Sequence, residues 1–516
     1  MKNKFLTLVM SLSFIGTAFA QSAEGNNVEK KSVENPKVAK AVTLTLDKAI
    51  QMVLHNNLTL RSAKFDVLMS DTDFRSYMQK YSIRLGADGS YVDQTVPASG
   101  MVSVFGGDKT TQFDAGLSIS KLFSTGTMLS AGIKEALYDQ NDKAIPGFKA
   151  TVDPAYNKPS LYVTVQQDLL KNAFGIADQK NMAILKNLTE MKRDNYIYQL
   201  SGLIVSALID YWQVIIQENA LKNSKKAMDA TAQIRDIVAR NAQYGLTETF
   251  EVNQYEALVA GAKSREDLTA FQRDQAIRKL LRTINMPEGT KIEGVTELSE
   301  DLPPMDLKKS LEAAYEKRTD YKNALRDIEV SELNLSLANH NALPSLTAFF
   351  TLSTASQSDV FSTAFSDALS LNYPTWKAGV SMSYPLWDQG IKTAIRNADY
   401  RLQQSKIHLE QLKKEMEDDV AEKFQAVTLQ YNVMMNTKTM MRESQAYYEK
   451  IMQNAAKGRF NSIVAKNALD TIIDARQKML EAIVQYNIAL LQFDLSKNEI
   501  FDRYNIHITE LLKNIE

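Results

Sequence analysis

The sequence predicts a mixed α and β protein. Long antiparallel coiled-coil helices form a tube continuous with an oligomeric transmembrane β-barrel, built from two internal repeats. Three observations predict this. Very long helical runs lack both helix breakers: positions 391–457 contain no glycine and no proline. Short segments alternating apolar and polar residues, bounded by Gly, Asp, Asn and Pro, interrupt the helical texture twice. The order helix, strands, long helical hairpin then occurs a second time.

At the amino terminus, Lys2 and Lys4 precede a mostly apolar run from position 5 to 19, and small residues surround Ala20. Residues 1–20 therefore read as a secretory signal peptide cut after Ala20; the run is short for a membrane span. The chain has no cysteine, so neither a disulfide nor a cysteine-linked lipid is expected. A net charge of −1 implies no large basic surface and no nucleic-acid partner. Beyond residue 20 no stretch reads as long and apolar enough for a transmembrane helix. An exported chain of this kind is periplasmic, released, or an outer-membrane barrel.

Residues 21–42 are polar and read as a flexible leader. The first repeat spans 43–304. Asp47 can cap a helix whose rhythm runs through Ala49, Ile50, Val53, Leu54, Leu58 and Leu60, with a break near Asn56 and Asn57. Strands are expected over about 86–170. Leu117 and Ile119 alternate with Ser118 and Ser120, and Leu161, Val163 and Val165 with Tyr162, Thr164 and Gln166. Strands of about 10 residues suit a tilted bilayer crossing, although a soluble sheet alternates in the same way. A helical hairpin is expected over 175–286, interrupted by Gly202, Gly245 and Gly261 and ended by Pro287.

The second repeat spans 305–500. "LKKSLEAAYEKRTDYKNALRDIEVSELNL" corresponds to the earlier "LDKAIQMVLHNNLTLRSAKFDVLMSDTDF", and "SYPLWDQGIKTAIRNADY" to "QQDLLKNAFGIADQKNMAIL". A repeat this long is not a solenoid period. Strands are expected over about 345–387, where Val380, Met382, Tyr384 and Leu386 alternate with polar neighbours. A hairpin over 391–500 follows. Ile391, Ile395, Ala398, Leu402, Ser405, Leu409, Leu412 and Met416 form a heptad seam continued by Val420, Phe424, Val427 and Tyr431. At about 1.5 Å per residue this helix is about 100 Å long. Gly458 breaks it, and a second run through Ile472, Met479, Ile483, Tyr486, Leu490 and Phe493 continues toward Ile500. Residues 501–516 are a carboxy-terminal tail.

Four to six candidate strands are fewer than the smallest single-chain outer-membrane barrels use. An open sheet edge in lipid leaves backbone groups unpaired, so strands that cross a bilayer here must be closed by several copies. Trp376, Tyr384 and Trp387 lie near strand ends. Aromatic residues there suit the membrane–water boundary or core packing at the strand–helix joint.

The segments "LTLDKAIQMVLHNN", "ALPSLTAFFTLS", "VSMSYPLWDQGIKTAIRNA", "YGLTETFEVNQYEALVAGAKSREDL" and "IIDARQKMLEAIVQYNIALLQFDL" occur in an order that resembles the outer-membrane efflux protein family, the TolC-like channels. The resemblance covers almost everything from Val42 to about Asn498. It implies a homotrimer with a β-barrel in outer-membrane lipid and a long antiparallel coiled-coil α-barrel in the periplasm of a Gram-negative-type cell. It implies as partners an inner-membrane pump and a periplasmic adaptor (membrane fusion protein), for efflux or type I secretion. The chain departs from the family's two strands per repeat. Residues 111–138 read as an additional hairpin turning at 124–126; joined to the wall it raises the barrel from about twelve to about eighteen strands, or else it packs outside.

The same resemblance implies a periplasmic gate narrowed by carboxylates. Asp474 matches the family's second gate aspartate, and Asp470 is one residue from the place of the first. Arg459 directly follows Gly458 rather than standing two residues later. Glu251 falls where the family carries an acidic residue. Asp470 and Asp474 are one helical turn apart and can share a face; ordinary solvated helix acids are the alternative. The hairpin tips, Tyr244, Gly245, Leu246 and Thr247 with Gly458, Arg459, Phe460 and Asn461, are the adaptor-docking candidates.

Nothing points to an enzyme or a cofactor. His55, His340, His408 and His507 lack a metal-ligand spacing, and no P-loop or GxSxG motif occurs. The rival reading is an exported coiled-coil scaffold of the envelope without a conduit.

Overall fold

A computed structural model describes residues 42–44, 46–95, 109–140, 155–245, 248–287, 292–294, 298–456 and 462–506. The expected signal peptide, the leader before Val42, tip residues Leu246, Thr247, Gly458, Arg459, Phe460 and Asn461, and the tail from His507 lie outside the described residues.

Two helical hairpins of equal dimensions dominate. Helix α4 (Ile176–Gln243) has 68 residues and α5 (Thr249–Thr283) has 35; α9 (Gln389–Ala456) has 68 and α10 (Ser462–Ser496) has 35. The long members reach about 100 Å at about 1.5 Å per residue. The short members cover half of that, and shorter helices continue them end to end. Helices α1 (Leu46–Asn56) and α2 (Leu58–Leu68) meet at Asn57. The Asn57 side chain accepts from the Leu60 amide at 3.0 Å, a helix cap, and donates to the Thr283 carbonyl, where α5 ends, at 2.7 Å. In the other half, α6 (Leu307–Lys317) and α7 (Thr319–Asn341) meet at Arg318, which donates to the Ser496 carbonyl, where α10 ends, at 3.2 Å.

Each such splice lies beside a long helix. α4 packs against α5 and α2 and also against α10 and α7, whereas α9 packs against α10, α7 and α6. The row is therefore α2/α5, α4, α7/α10, α9. The expected α9 seam changes partner along its length. Ser405 bonds to Ser331 at 3.0 Å and Asp327 at 2.6 Å, both on α7. Met416, Val420 and Val427 are fully buried with Tyr486, Leu490 and Phe493 of α10.

One expectation is corrected. The helix Ala173–Gln243 is long and apolar enough, by length and composition, to cross a membrane. Its apolar residues serve helix contacts instead. Leu200, Ile204, Leu208 and Tyr211 are buried in a core with Ala49, Ile50, Val53, Leu280 and Leu281. Buried Asp210 pairs with Lys279 at 2.8 Å and accepts from Thr283 at 2.9 Å.

The strands form an up-and-down sheet, ordered β2 (Arg84–Thr95), β3 (Lys109–Leu122), β4 (Thr127–Gln140), β6 (Ser160–Asp168), β8 (Ser345–Ala355), β9 (Pro374–Ser383), all neighbours antiparallel. Short β5 (Ala155–Asn157) pairs with β4. Apart from this sheet, β1 (Val42–Leu44) pairs in parallel with β7 (Ile292–Gly294). The hairpin expected at 111–138 is β3–β4, inside the sheet. Gly126, at φ +72°, supplies the left-handed residue of its turn. The expected alternation past Val380 stops at Ser383, so Tyr384 and Leu386 lie beyond β9. Helix α3 (Thr72–Met78) leads into β2, and α8 (Phe361–Leu369) occupies the β8–β9 connection, read from the sequence only as a loop. The run past Phe493 ends at Ser496; Asn498, at φ +59°, separates it from α11 (Ile500–Arg503).

Candidate functional site

The register gives the sheet two unlike faces. One row across all six long strands reads Leu85, Ile119, Ala131, Val163, Leu352, Trp376. The adjacent row, on the opposite face, reads Arg84, Ser120, Ser130, Thr164, Thr351, Lys377. The first is wholly apolar and largely exposed, with Leu85 at 82 % and Trp376 at 71 %. The second is wholly polar, with Thr164 and Thr351 hydroxyls 2.9 Å apart. An exposed apolar face of this extent has to be covered by something other than water. The two edge strands, β2 and β9, pair with nothing on their outer sides among the described residues.

Trp376 stands near one end of β9, with Tyr384 and Trp387 just past the other. All three are exposed, Trp387 at 90 %, so core packing at the joint does not account for them.

The joint between sheet and helices carries a polar cluster that sequence reasoning missed. Asp178, buried in the first turn of α4, accepts from Lys80 Nζ at 2.5 Å, Tyr77 Oη at 2.9 Å and Asn172 Nδ2 at 3.2 Å. Burial would raise its carboxyl, but bonds from Lys80, Tyr77 and Asn172 outweigh burial and hold it below the usual carboxylate range. Burial and the Asp178 bond push Tyr77 up to about 12. The β3–β4 turn is seated on this joint: a Cβ on Gly175, at φ +76°, would lie 1.8 Å from the Ser124 carbonyl oxygen. Lys80 and Asp178 are 98 residues apart, so no local spacing announces the cluster.

Toward the helix tips, α4, α5 and α10 enclose a polar groove of about 520 Å³ lined by Asp470, Asp474, Lys466, Arg265 and Glu481. Both predicted aspartates therefore reach one surface. Their ion pairs are within α10: Asp470 with Lys466 at 2.9 Å, Asp474 with Lys478 at 2.8 Å. The hydrogen bond that Lys478 donates to Asp474 raises its ammonium. Exposed pairs of this kind are screened by solvent and contribute little to stability. Glu251 sits half-buried in the first turn of α5, outside the groove lining. Ile234, Val238, Tyr255, Ala465, Leu469 and Ile472 form a dry cluster that ties the hairpins together. Tyr244 is 78 % exposed at the tip, where Gly245, at φ +70°, turns the chain.

Neither a known sequence family nor a curated protein matches this sequence. Solved structures do. CusC, whose structures concern folding and transmembrane channel formation, matches with TM-score 0.65 at 14 % identity, covering 90 % of this chain and 95 % of that one. The CmeC outer-membrane channel of Campylobacter jejuni matches with TM-score 0.65 at 12 % identity, covering 94 % and 95 %. The open-state MtrE outer-membrane channel of Neisseria gonorrhoeae matches with TM-score 0.60 at 17 % identity, covering 88 % of each chain. Over nearly its whole length, this chain carries the fold of the TolC-like outer-membrane channels.

Proposed function

We propose that the chain is the outer-membrane channel subunit of a tripartite efflux or type I secretion system, passively conducting cargo from a pump–adaptor assembly to the exterior. The observation that carries this reading is the two-faced sheet with both edges open, joined directly to 68-residue helices. Three copies close it, β2 of one pairing with β9 of the next. The helical layer supports the same closure, because both its rims carry exposed apolar residues: Phe65, Leu268 and Phe271 on the α2/α5 side, Ile407 and Leu429 on the α9 side. The apolar face meets outer-membrane lipid, with Trp376, Tyr384 and Trp387 at its two boundaries. The polar face lines water.

In this reading 1–20 is a signal peptide, 21–42 a leader, 43–304 and 305–500 two repeats, and 501–516 a tail. Asp474 and Asp470, with Glu251 and Arg459, form the periplasmic gate, where carboxylates from three copies attract cations in a wet constriction. Tyr244, Gly245, Leu246 and Thr247 with Gly458, Arg459, Phe460 and Asn461 dock the adaptor. The pump selects the cargo. The test is conductance of the purified full-length protein in planar bilayers, alongside heat-sensitive trimers on gels. Discrete conductance steps from a trimeric species are expected. A folded monomer that stays soluble and never conducts would overturn the reading.

A further inference from the structure

The two halves of this chain match in helix length but not in strand number. The second half contributes two long strands to the sheet, β8 and β9; the first contributes four, because β3–β4 stands between β2 and β6. A hairpin packed outside a wall would leave β2 and β6 to pair with each other. Here β2 pairs with β3 from Arg84 to Thr95, and β4 pairs with β6 from Thr127 to Lys134. The hairpin also follows the two-face rule of its neighbours through its central rows, departing from it on the apolar face at Glu135. Ile119 and Ala131 fall in the apolar row with Val163 and Leu352, and Ser120 and Ser130 in the polar row with Thr164 and Thr351. Its turn is fixed against the base of α4 by the close approach of Gly175 to Ser124.

We infer that β3–β4 is pore wall, with Ser118, Ser120 and Ser130 lining the aqueous lumen, so that the outer-membrane pore is wider than the helical tube beneath it and imposes no size limit on solutes the tube has passed. The inference rests on the channel reading. Barrel diameter grows roughly linearly with strand number, so six wall strands per copy instead of four widen the pore by about half. The helical layer gains nothing from the hairpin: it keeps two long helices per copy, α4 and α9. Selection by size then belongs to the tube and its tips.

The chain has no cysteine, so single cysteines report cleanly. Full-length Ser118→Cys, Ser130→Cys, Leu117→Cys and Thr351→Cys are recorded in planar bilayers before and after a charged, water-soluble methanethiosulfonate. Conductance should fall in discrete steps, one per copy, for Ser118→Cys, Ser130→Cys and Thr351→Cys, and stay constant for Leu117→Cys. If Thr351→Cys responds while both hairpin serines are silent, the hairpin lies outside the lumen and this inference fails, leaving the channel reading intact. If Thr351→Cys is also silent in a protein that conducts, the assignment of the polar face to the lumen fails, and the inference with it.

Discussion

Helices α4 and α9 have the same length and opposite settings. α4 runs through the middle of the helical row, with partners on both sides, and buries Leu200, Ile204, Leu208, Tyr211 and Val238. α9 runs along the rim. It buries a single seam, Met416, Val420, Val427 and Met434, and leaves Tyr400, Ile407, Leu429 and Tyr447 exposed. Their starting points differ likewise. α4 begins in the Asp178 cluster, held by Tyr77 and Lys80 from a distant segment. α9 begins after exposed Trp387, and Asp388 there accepts a local bond from the Gly390 amide at 2.7 Å. α4 finds its partners on both sides within one copy; α9 keeps an apolar side with no partner among the described residues.

Substitutions can break this contrast, and the largest effect is expected in α4. Leu208→Ala, at a residue 1 % exposed, should destabilise the copy by about 2–5 kcal/mol in denaturant titrations. Leu429→Ala, at 59 % exposure on α9, should stay within about 0.5 kcal/mol for the isolated copy while lowering the temperature at which oligomers dissociate on gels. Equal losses in the isolated copy would dissolve the distinction.

Next come the two joints. Asp178→Asn should remove about 3 kcal/mol, since it leaves Lys80 without its charge partner; Asp388→Asn should change stability by under about 0.5 kcal/mol. The sign with pH follows from the direction of the shift. The folded Asp178 carboxyl is held below its ordinary value, so its stabilisation is present above about pH 4. It is lost as pH falls through the lower, folded value. Stability curves of the parent and Asp178→Asn should therefore converge in acid; a constant gap down to the lowest pH would reject the charge-based account.

A smaller effect is expected at the splice. Asn57→Ala removes a cap and a tie to Thr283 and should cost about 1 kcal/mol, read as a lower thermal midpoint. The smallest stability effect belongs to the groove. Asp474→Ala breaks one exposed, solvent-screened pair with Lys478 and should leave the thermal midpoint nearly unchanged. Its reversal potential under a salt gradient should shift toward weaker cation preference; no shift would remove Asp474 from the conduction path.

The sequence was most legible where one residue's environment repeats along an element. Strands β3, β4, β6 and β8 declare themselves because apolar and polar neighbours alternate, and α9 because four- and three-residue steps persist without a breaker. Legibility failed where partners are remote. Asp178 reads as an ordinary acid until Lys80 is brought against it. The apolar run of α4 is hard to read because charged Asp210 interrupts it, and only packing pairs that charge with Lys279. α8 reads as loop because Ser362, Thr363, Ser366 and Asp367 break up its apolar residues, yet Ala364 and Ala368, both fully buried, seat it beside β6 and β8. For the groove, spacing puts Asp470 and Asp474 one helical turn apart; it does not announce that each pairs with a lysine of its own helix.

The bare rims of β2 and β9 also set a hazard early in the life of each molecule. In the channel reading proposed above, a newly exported copy would offer two rows of unsatisfied amides and carbonyls beside a greasy sheet, a template for stray strand addition. On that reading ring closure would have to outrun the misassociation, and overproduction that crowds unfinished copies together should yield aggregates in place of pores.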